Sequence, residues 1–205
     1  LPLGEKRYST FSLWDTFRAW HPLMTLIDAP LVNEMIRSLL DMYDATGELP
    51  IWPLSAGETG TMIGYHAVSV IADAYMKGIR DFDAQKALEA MKVSSDKNKK
   101  GSDLYLSLGY IPSNYKRESV SCLLEYAYDD WCIYQLGRKL GKPEKDIAVY
   151  AQRAMNYRNV FDPSLRLMRG KDSAGKFETP FNPTDWSRSF TEGDTWHWTW
   201  CVFHD

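Results

Sequence analysis

Two carboxylates and three tryptophans lie within nine residues near the carboxyl end of the chain. Glu192 and Asp194 flank a glycine, and Trp196 is the first of three tryptophans at alternating positions. Indole rings exclude water, and desolvation disfavours the charged form of a carboxyl group, so an acid beside them is suited to donate a proton. The segment is therefore a candidate proton-donating site, with Glu192 in a partly dry hollow walled by indole rings.

A purely structural interpretation fits the same residues. A helix is expected to begin near Glu192, and Thr191 or Asp194 has the side chain of an N-cap residue. Glu192 would then only complement the positive end of the helix dipole. From composition alone this interpretation is favoured, and the spacing does not decide between the two.

A second cluster lies near the amino end, where Trp14, Asp15 and Arg18 share one turn of a predicted helix. The commoner outcome for such an acid and base is a buried structural ion pair. The alternative is sugar recognition, because Asp and Arg form charged hydrogen bonds with hydroxyl groups and an indole face stacks on a pyranose ring.

The remaining titratable residues indicate no further chemistry. His21 and His66 are each expected to be satisfied core residues rather than ligands. Asp129 and Asp130 are expected to be solvated on the polar side of their helix. The three cysteines have no zinc-binding spacing, and the chain has no phosphate-binding loop, zinc-protease motif or nucleophile elbow.

The elements that must position these residues are mostly helices. Apolar residues recur at helical spacing in four segments, 32–43, 63–75, 120–134 and 147–154, and a short helix is expected over about 83–92. The connections 47–62, 96–118 and 161–190 are longer than a simple bundle needs, and loops of that length are commonly functional. Glycines and alternating residues within 165–178 predict a short β-hairpin.

Helical hairpins joined by long loops predict an all-α fold, part of an α/α toroid. We expect residues 1–205 to form a single domain that is truncated at both ends. The formal charge of −3 argues against a nucleic-acid partner, because neutralising phosphates requires a basic face. No apolar run is long enough to predict a membrane span.

Ordered motifs over nearly the whole chain resemble glycoside hydrolase family 92, the calcium-dependent exo-α-mannosidases. The motifs that carry the resemblance are Ser12-Leu13-Trp14-Asp15-Thr16-Phe17-Arg18, His21-Pro22-Leu23, Gly57-Glu58-Thr59, Met62-Ile63-Gly64-Tyr65-His66, Val70-Ile71-Ala72-Asp73-Ala74, Met168-Arg169-Gly170, Pro180-Phe181-Asn182-Pro183 and Phe190-Thr191-Glu192-Gly193. The resemblance implies a β-sandwich followed by a six-hairpin α/α barrel, of which this chain is the first half, so residues 1–205 would be the N-terminal portion of an α/α-barrel glycosidase catalytic domain. The β-sandwich and the remainder of the barrel would then be its partners.

The resemblance also implies an activity and a set of site residues. The reaction would be inverting hydrolysis of terminal α-mannosides of a glycan, with Glu192 as the general acid. Asp15 would hold hydroxyls of the terminal mannose, with Trp14, Arg18 and His66 in the same pocket and Trp196 in its wall.

Other features of the family are expected outside this chain. The catalytic base and most ligands of a Ca²⁺ cofactor would lie downstream, so we assign no metal ligand to residues 1–205. We expect the chain by itself to be inactive and the protein to be secreted or periplasmic.

Two departures from the family pattern leave alternatives open. Asp194 and His197 stand where the family usually has neutral amides, and Phe203 stands where it usually has proline. These changes are compatible with a different linkage preference or with weakened activity. Two other functions remain open beside the exo-α-mannosidase. The chain could be a non-catalytic carbohydrate-binding or assembly fragment, or part of an α/α-barrel glycosidase that acts on glucosides.

Overall fold

The computed structural model of the chain describes residues 6–54, 57–97 and 100–205. The chain divides into two compact units. The first comprises residues Leu1–Lys97 and Cys132–Ala148, and the second comprises residues Asn98–Trp131 and Val149–Asp205. Helices dominate both units, as the sequence predicts.

The described part of the first unit contains five helices before residue 97. They are α1 (Leu13–Thr16), α2 (Trp20–Ile27), α3 (Ala29–Thr46), α4 (Ala67–Met76) and α5 (Ala84–Asp96). Helices α2, α3 and α4 pack against one another, and α5 packs against α3 and α4. The core between them is formed by fully buried aliphatic side chains, among them Ile36, Leu39, Leu49, Ile63 and Ile71.

Local signals in the sequence explain the bounds of α3. The Asp28 carboxylate accepts a hydrogen bond from the Leu31 N–H at 3.0 Å, which satisfies one free donor of the first turn. Pro30 lies in that turn, where its missing N–H costs nothing. Gly47 ends the helix with φ of +80°, a conformation that glycine adopts without strain. The predicted apolar stripe of α3 faces the core.

The second unit is built around the first part of a long helix. Its helices are α6 (Ser102–Leu108), α7 (Ser119–Lys139, whose residues beyond 131 belong to the first unit), α8 (Ala148–Ala154, from Val149) and α9 (Thr195–Thr199). A 3₁₀ segment, Met155–Val160, extends α8. Helix α6 lies inside the predicted loop 96–118, which is therefore only partly irregular.

Two short antiparallel hairpins interrupt the helical pattern. Strands β1 (Pro53–Leu54) and β2 (Gly57–Glu58) pair in the first unit, and β3 (Phe161–Asp162) and β4 (Leu167–Met168) pair in the second. A single bridge joins Lys171 and Phe177. The predicted hairpin within 165–178 is thus present, although its pairing begins earlier along the chain.

The expectation that Asp129 and Asp130 are solvated is wrong. Both side chains are fully buried, as is Glu125 one turn earlier. The prediction assumed that α7 has one apolar face and one wet face, but between residues 119 and 130 every residue except the partly exposed Tyr128 is buried. Its polar residues therefore point into the protein, where a charged group needs partners.

Within the three described ranges, no helix combines the length and apolar character required to cross a bilayer.

Candidate active site

The predicted site residues of the first unit are carried by α1 and the turn that follows it. The Asp15 carboxylate is exposed, and it has no hydrogen-bond or ion-pair partner among residues 6–54, 57–97 and 100–205. Arg18 is also exposed, and its Nε donates to the Trp14 carbonyl at 3.1 Å. The structure therefore contradicts the interpretation of Asp15 and Arg18 as a buried structural ion pair.

Arg18 connects two aromatic residues of the same segment. Its guanidinium lies 4.7 Å from the ring centroids of Trp14 and Phe17, a distance at which a cation is attracted by the ring electrons. The Phe17 ring also stacks on His66, with centroids 3.8 Å apart and planes at 16°. The structure thus brings Trp14, Arg18 and His66 together around Phe17.

Both histidines of this region are buried, as expected for core residues. His66 is 1% exposed and precedes α4, where its carbonyl accepts a hydrogen bond from the Ser69 hydroxyl at 3.0 Å. His21 is 3% exposed, and neither of its ring nitrogens has a hydrogen-bond partner within the part of the chain that the structure describes. Burial lowers the pKa of His21 to about 4, because a charged imidazole is poorly solvated there. His21 is a core residue, but its polar atoms are not satisfied as expected.

In the second unit, Asp194 caps α9, which is the structural alternative considered from the sequence. Its Oδ1 accepts a hydrogen bond from the His197 N–H at 3.1 Å, and the His197 ring nitrogen Nδ1 lies 2.7 Å from the same oxygen. The His197 ring also faces the Asp194 N–H, which completes a reciprocal capping box. Burial raises the pKa of the Asp194 carboxyl, but the hydrogen bonds and charge of His197 outweigh it, so the net shift is downward.

The three tryptophans at alternating positions in and after α9 differ in exposure. Trp198 is 4% exposed and belongs to the core, whereas Trp196 is 48% exposed and Trp200 is 74% exposed. One tryptophan therefore stabilises the unit, while the other two present indole surface to the outside.

Glu192 precedes the capping residue and is exposed. Its backbone has φ of +47°, in the left-handed region that residues other than glycine rarely adopt. Strained backbone of this kind is held by its surroundings and is concentrated at functional sites. The described residues do not enclose the Glu192 carboxyl, so they do not by themselves form the dry hollow predicted from the sequence.

Thr191, directly before Glu192, is held on both sides by buried groups. Its N–H donates to the Ser121 hydroxyl of α7 at 2.8 Å, and its carbonyl accepts a hydrogen bond from the Trp198 indole Nε1 at 2.8 Å. The sequence did not reveal Ser121 or Trp198 as site residues. No local pattern links residue 121 to residue 191, and the alternation of tryptophans does not show which of them enters the core.

Helix α9 is attached to the hairpin of the same unit. The Thr199 hydroxyl accepts a hydrogen bond from the Met168 N–H at 3.0 Å, and the Thr195 hydroxyl donates to the Met168 carbonyl. Arg169, the next residue, donates from Nη1 to the Asp162 carboxylate at 2.9 Å. The motif Met168-Arg169-Gly170 therefore supports the helix that follows Glu192.

No group of three or more His, Cys, Asp or Glu side chains is placed to hold an ion in residues 6–54, 57–97 and 100–205. Because a Ca²⁺ site requires six to eight oxygen ligands, the described residues do not fit a complete calcium site.

Comparisons with known proteins identify the family. Residues 2–205 match the glycosyl hydrolase family 92 catalytic domain. The solved structure of a family GH92 α-mannosidase from Bacteroides thetaiotaomicron is 45% identical, has a TM-score of 0.90, and is matched over 96% of this chain and 27% of its own. A family GH92 inverting mannosidase from the same organism is 42% identical, has a TM-score of 0.91, and is matched over 97% of this chain and 28% of its own.

A curated protein of Arthroderma benhamiae, named an uncharacterized secreted glycosidase, is 32% identical over 168 residues, which are 72% of this chain and 21% of that protein. The chain thus spans about a quarter of the solved relatives. Their agreement confirms the predicted fold class, an all-α partial α/α toroid with long loops and a short hairpin. The chain belongs to glycosyl hydrolase family 92.

Proposed function

We propose that the full-length protein removes terminal α-linked mannose from glycans with inversion, and that Glu192 is the general acid. The observation that carries this proposal is the 42% identity, over 97% of the chain, to a protein described as an inverting mannosidase. A solved α-mannosidase relative, also 42% identical, is described in complex with mannoimidazole.

The proposed reaction is a single displacement at the anomeric carbon. The Glu192 carboxyl gives its proton to the glycosidic oxygen while the bond from that oxygen to C1 breaks. Water attacks C1 from the opposite face, and its proton passes to a second carboxylate. Inverting enzymes keep the two carboxyl groups roughly 6.5–9.5 Å apart so that this water fits between them. We propose that the second carboxylate lies downstream of residue 205.

The geometry around Glu192 supports the acid role. A carboxyl group that protonates a substrate oxygen must be accessible, and Glu192 is exposed. It must also be held in place, because misplaced groups lose much of the advantage of proximity. The two hydrogen bonds of Thr191 supply that restraint.

The other predicted site residues complete the proposal. Asp15 presents an exposed carboxylate that can accept hydrogen bonds from two sugar hydroxyls, and Trp14 and Arg18 lie beside it on one turn. Trp196 presents half of its indole surface as a wall. His66 contacts the same group through Phe17, and its role in the pocket stays a prediction.

Replacing Glu192 by Gln in the full-length protein tests the acid role. A glutamine keeps the shape but cannot donate the proton, so turnover of a mannoside with a sugar leaving group should fall about 10²–10⁴-fold. A dinitrophenyl α-mannoside needs little protonation and should lose far less. Glu89→Gln, an exposed glutamate of α5, is the matched control and should leave both rates unchanged. Equal turnover by the Glu192→Gln and parent proteins would overturn the proposal.

Two further measurements decide between the alternatives. Cleavage of α-glucosides in preference to α-mannosides would assign a different glycosidase, and mannose binding without any turnover would assign a binding module. Proton NMR of the first product should show β-mannose if the reaction inverts. We also propose that Ca²⁺ assists the reaction through ligands mostly outside this chain. A chelator should then abolish turnover, and added Ca²⁺ should restore it. We further propose that the protein is secreted or periplasmic.

A further inference from the structure

The peptide bond between Thr191 and Glu192 is fixed by a buried indole. Trp198 Nε1 donates to the Thr191 carbonyl oxygen at 2.8 Å, and both residues are buried. That oxygen belongs to the peptide group whose rotation changes ψ of Thr191 and φ of Glu192 together. The Trp198 hydrogen bond therefore opposes the rotation that would release Glu192 from its left-handed conformation.

A second hydrogen bond fixes the preceding peptide bond. The Thr191 N–H donates at 2.8 Å to the Ser121 hydroxyl, which is fully buried on α7. The segment before it is also anchored to the start of α7, because the Val120 N–H donates to the Ser189 carbonyl at 3.1 Å. Thr191 is thus held by two distant side chains: Ser121 of α7, which lies 70 residues before it, and Trp198, which lies seven residues after it.

The residues after Glu192 leave it little freedom to move. A Cβ atom on Gly193 would lie 3.3 Å from the His197 ring, so the ring packs directly against this glycine. Trp198 is itself held, because Thr195 and Thr199 of α9 both form hydrogen bonds with Met168 of β4. The strained residue therefore lies between two anchored segments.

We infer that Trp198 is a positioning residue that aims the Glu192 carboxyl at the glycosidic oxygen, with Ser121 as its partner on the other side of Thr191. The inference rests on the proposed acid role of Glu192. Trp198 does not touch the reacting atoms; it acts through the conformation of the Thr191–Glu192 peptide group. An acid that is displaced or mobile donates its proton less effectively, and this loss matters most for leaving groups that need protonation.

The test replaces Trp198 by Phe in the full-length protein, which removes the indole N–H and keeps an aromatic ring. We expect kcat for a mannoside with a sugar leaving group to fall about tenfold or more, with KM changed less than about twofold. The dinitrophenyl mannoside should lose at most about threefold. Trp131→Phe is the matched control, because this half-buried indole of α7 forms no hydrogen bond with any described residue. It should leave both rates unchanged.

Ser121→Ala is the second variant, and it decides the matter if Trp198→Phe does not fold. This variant should also lose more turnover on the mannoside with a sugar leaving group than on the dinitrophenyl mannoside. The reason is that it removes the hydrogen bond to the Thr191 N–H. Equal losses on both substrates, or no loss, would overturn the positioning role while the Glu192→Gln result stands. If Glu192→Gln itself shows no dependence on leaving group, the proposed acid fails instead, so the two failures are distinguishable.

Discussion

Arg153 holds the buried carboxylate of Asp130 with two hydrogen bonds, from Nε to Oδ2 at 3.0 Å and from Nη2 to Oδ1 at 2.9 Å. The Tyr105 hydroxyl lies 2.7 Å from Asp130 Oδ2. The three residues come from α8, α7 and α6, so one charged cluster joins three helices of the second unit. Burial raises the pKa of Asp130 to about 6, although the Arg153 charge and hydrogen bonds pull it down.

Replacing Arg153 by Met should destabilise the second unit strongly. It leaves a fully buried carboxylate without its cation, a change that typically costs about 3–5 kcal/mol. Arg158→Met is the matched control: it removes an arginine whose bond to Asp205 is largely exposed to water, so its effect should be much smaller. Hydrogen exchange of α7 amides in both variants measures the difference. Equal protection in the two variants would show that the buried pair does not hold these helices.

The sequence predicts those features whose causes are local. The start and end of α3 follow from Pro30 and Gly47, and the apolar period between them identifies the buried face. The cap of α9 is similarly readable, because Asp194 bonds to residues within three positions. Such interactions are encoded within one or two turns of chain.

Features that depend on distant partners escaped prediction. Asp130 is buried because Arg153, 23 residues away, compensates its charge, and no periodicity along α7 shows this. The left-handed conformation of Glu192 is held by Ser121, 70 residues before Thr191. The motif that contains Glu192 identifies the residue type, but the fold supplies the conformation.

The stability of the first unit should fall in acid because of His21. Its pKa is about 4 in the folded protein and 6.5 when unperturbed. Between these values the unfolded chain binds a proton that the folded chain does not, so acidification favours unfolding. The loss between pH 6.5 and pH 4 should be on the order of 3 kcal/mol, and it should be absent above pH 7.

Two variants isolate this contribution. His21→Asn keeps a polar side chain at this position, and His21→Phe places an apolar one there. Neither side chain titrates between pH 4 and pH 6.5. Hydrogen exchange of α2 amides at pH 4.5 and pH 7, corrected for intrinsic rates, should show a smaller acid loss in both variants than in the parent. An undiminished acid loss in both would show that another group causes it.

Gly170→Ala should disrupt the hairpin that supports α9. An added Cβ would overlap the Glu178 carboxylate and lie 2.6 Å from the Ser189 hydroxyl, and these two groups already share a hydrogen bond of 2.9 Å. We expect a loss of about 1–3 kcal/mol from overpacking. Gly57→Ala, where a Cβ meets nothing within 4 Å, is the matched control and should be nearly neutral.

A double-mutant cycle tests the cause of that loss. If the Glu178 carboxylate is the obstacle, Glu178→Ala should recover part of the stability lost in Gly170→Ala, and the two effects should not add. Additive losses measured by urea unfolding would instead place the strain in the backbone.

Replacing Asp194 by Ala should loosen α9 and, through it, the segment that carries Glu192. The substitution removes the acceptor of the His197 N–H and the partner of its ring, so the first turn loses its capping box. Amide exchange in α9 should accelerate by a factor of about five, as is typical for a lost N-cap.

Asp194→Asn keeps an oxygen acceptor and should retain most of the protection at neutral pH. Because the pKa of Asp194 is lowered in the folded protein, the parent should lose protection as pH falls through that pKa, whereas Asp194→Asn should show no such loss. Equal exchange in the alanine and asparagine variants would show that the cap does not order this helix.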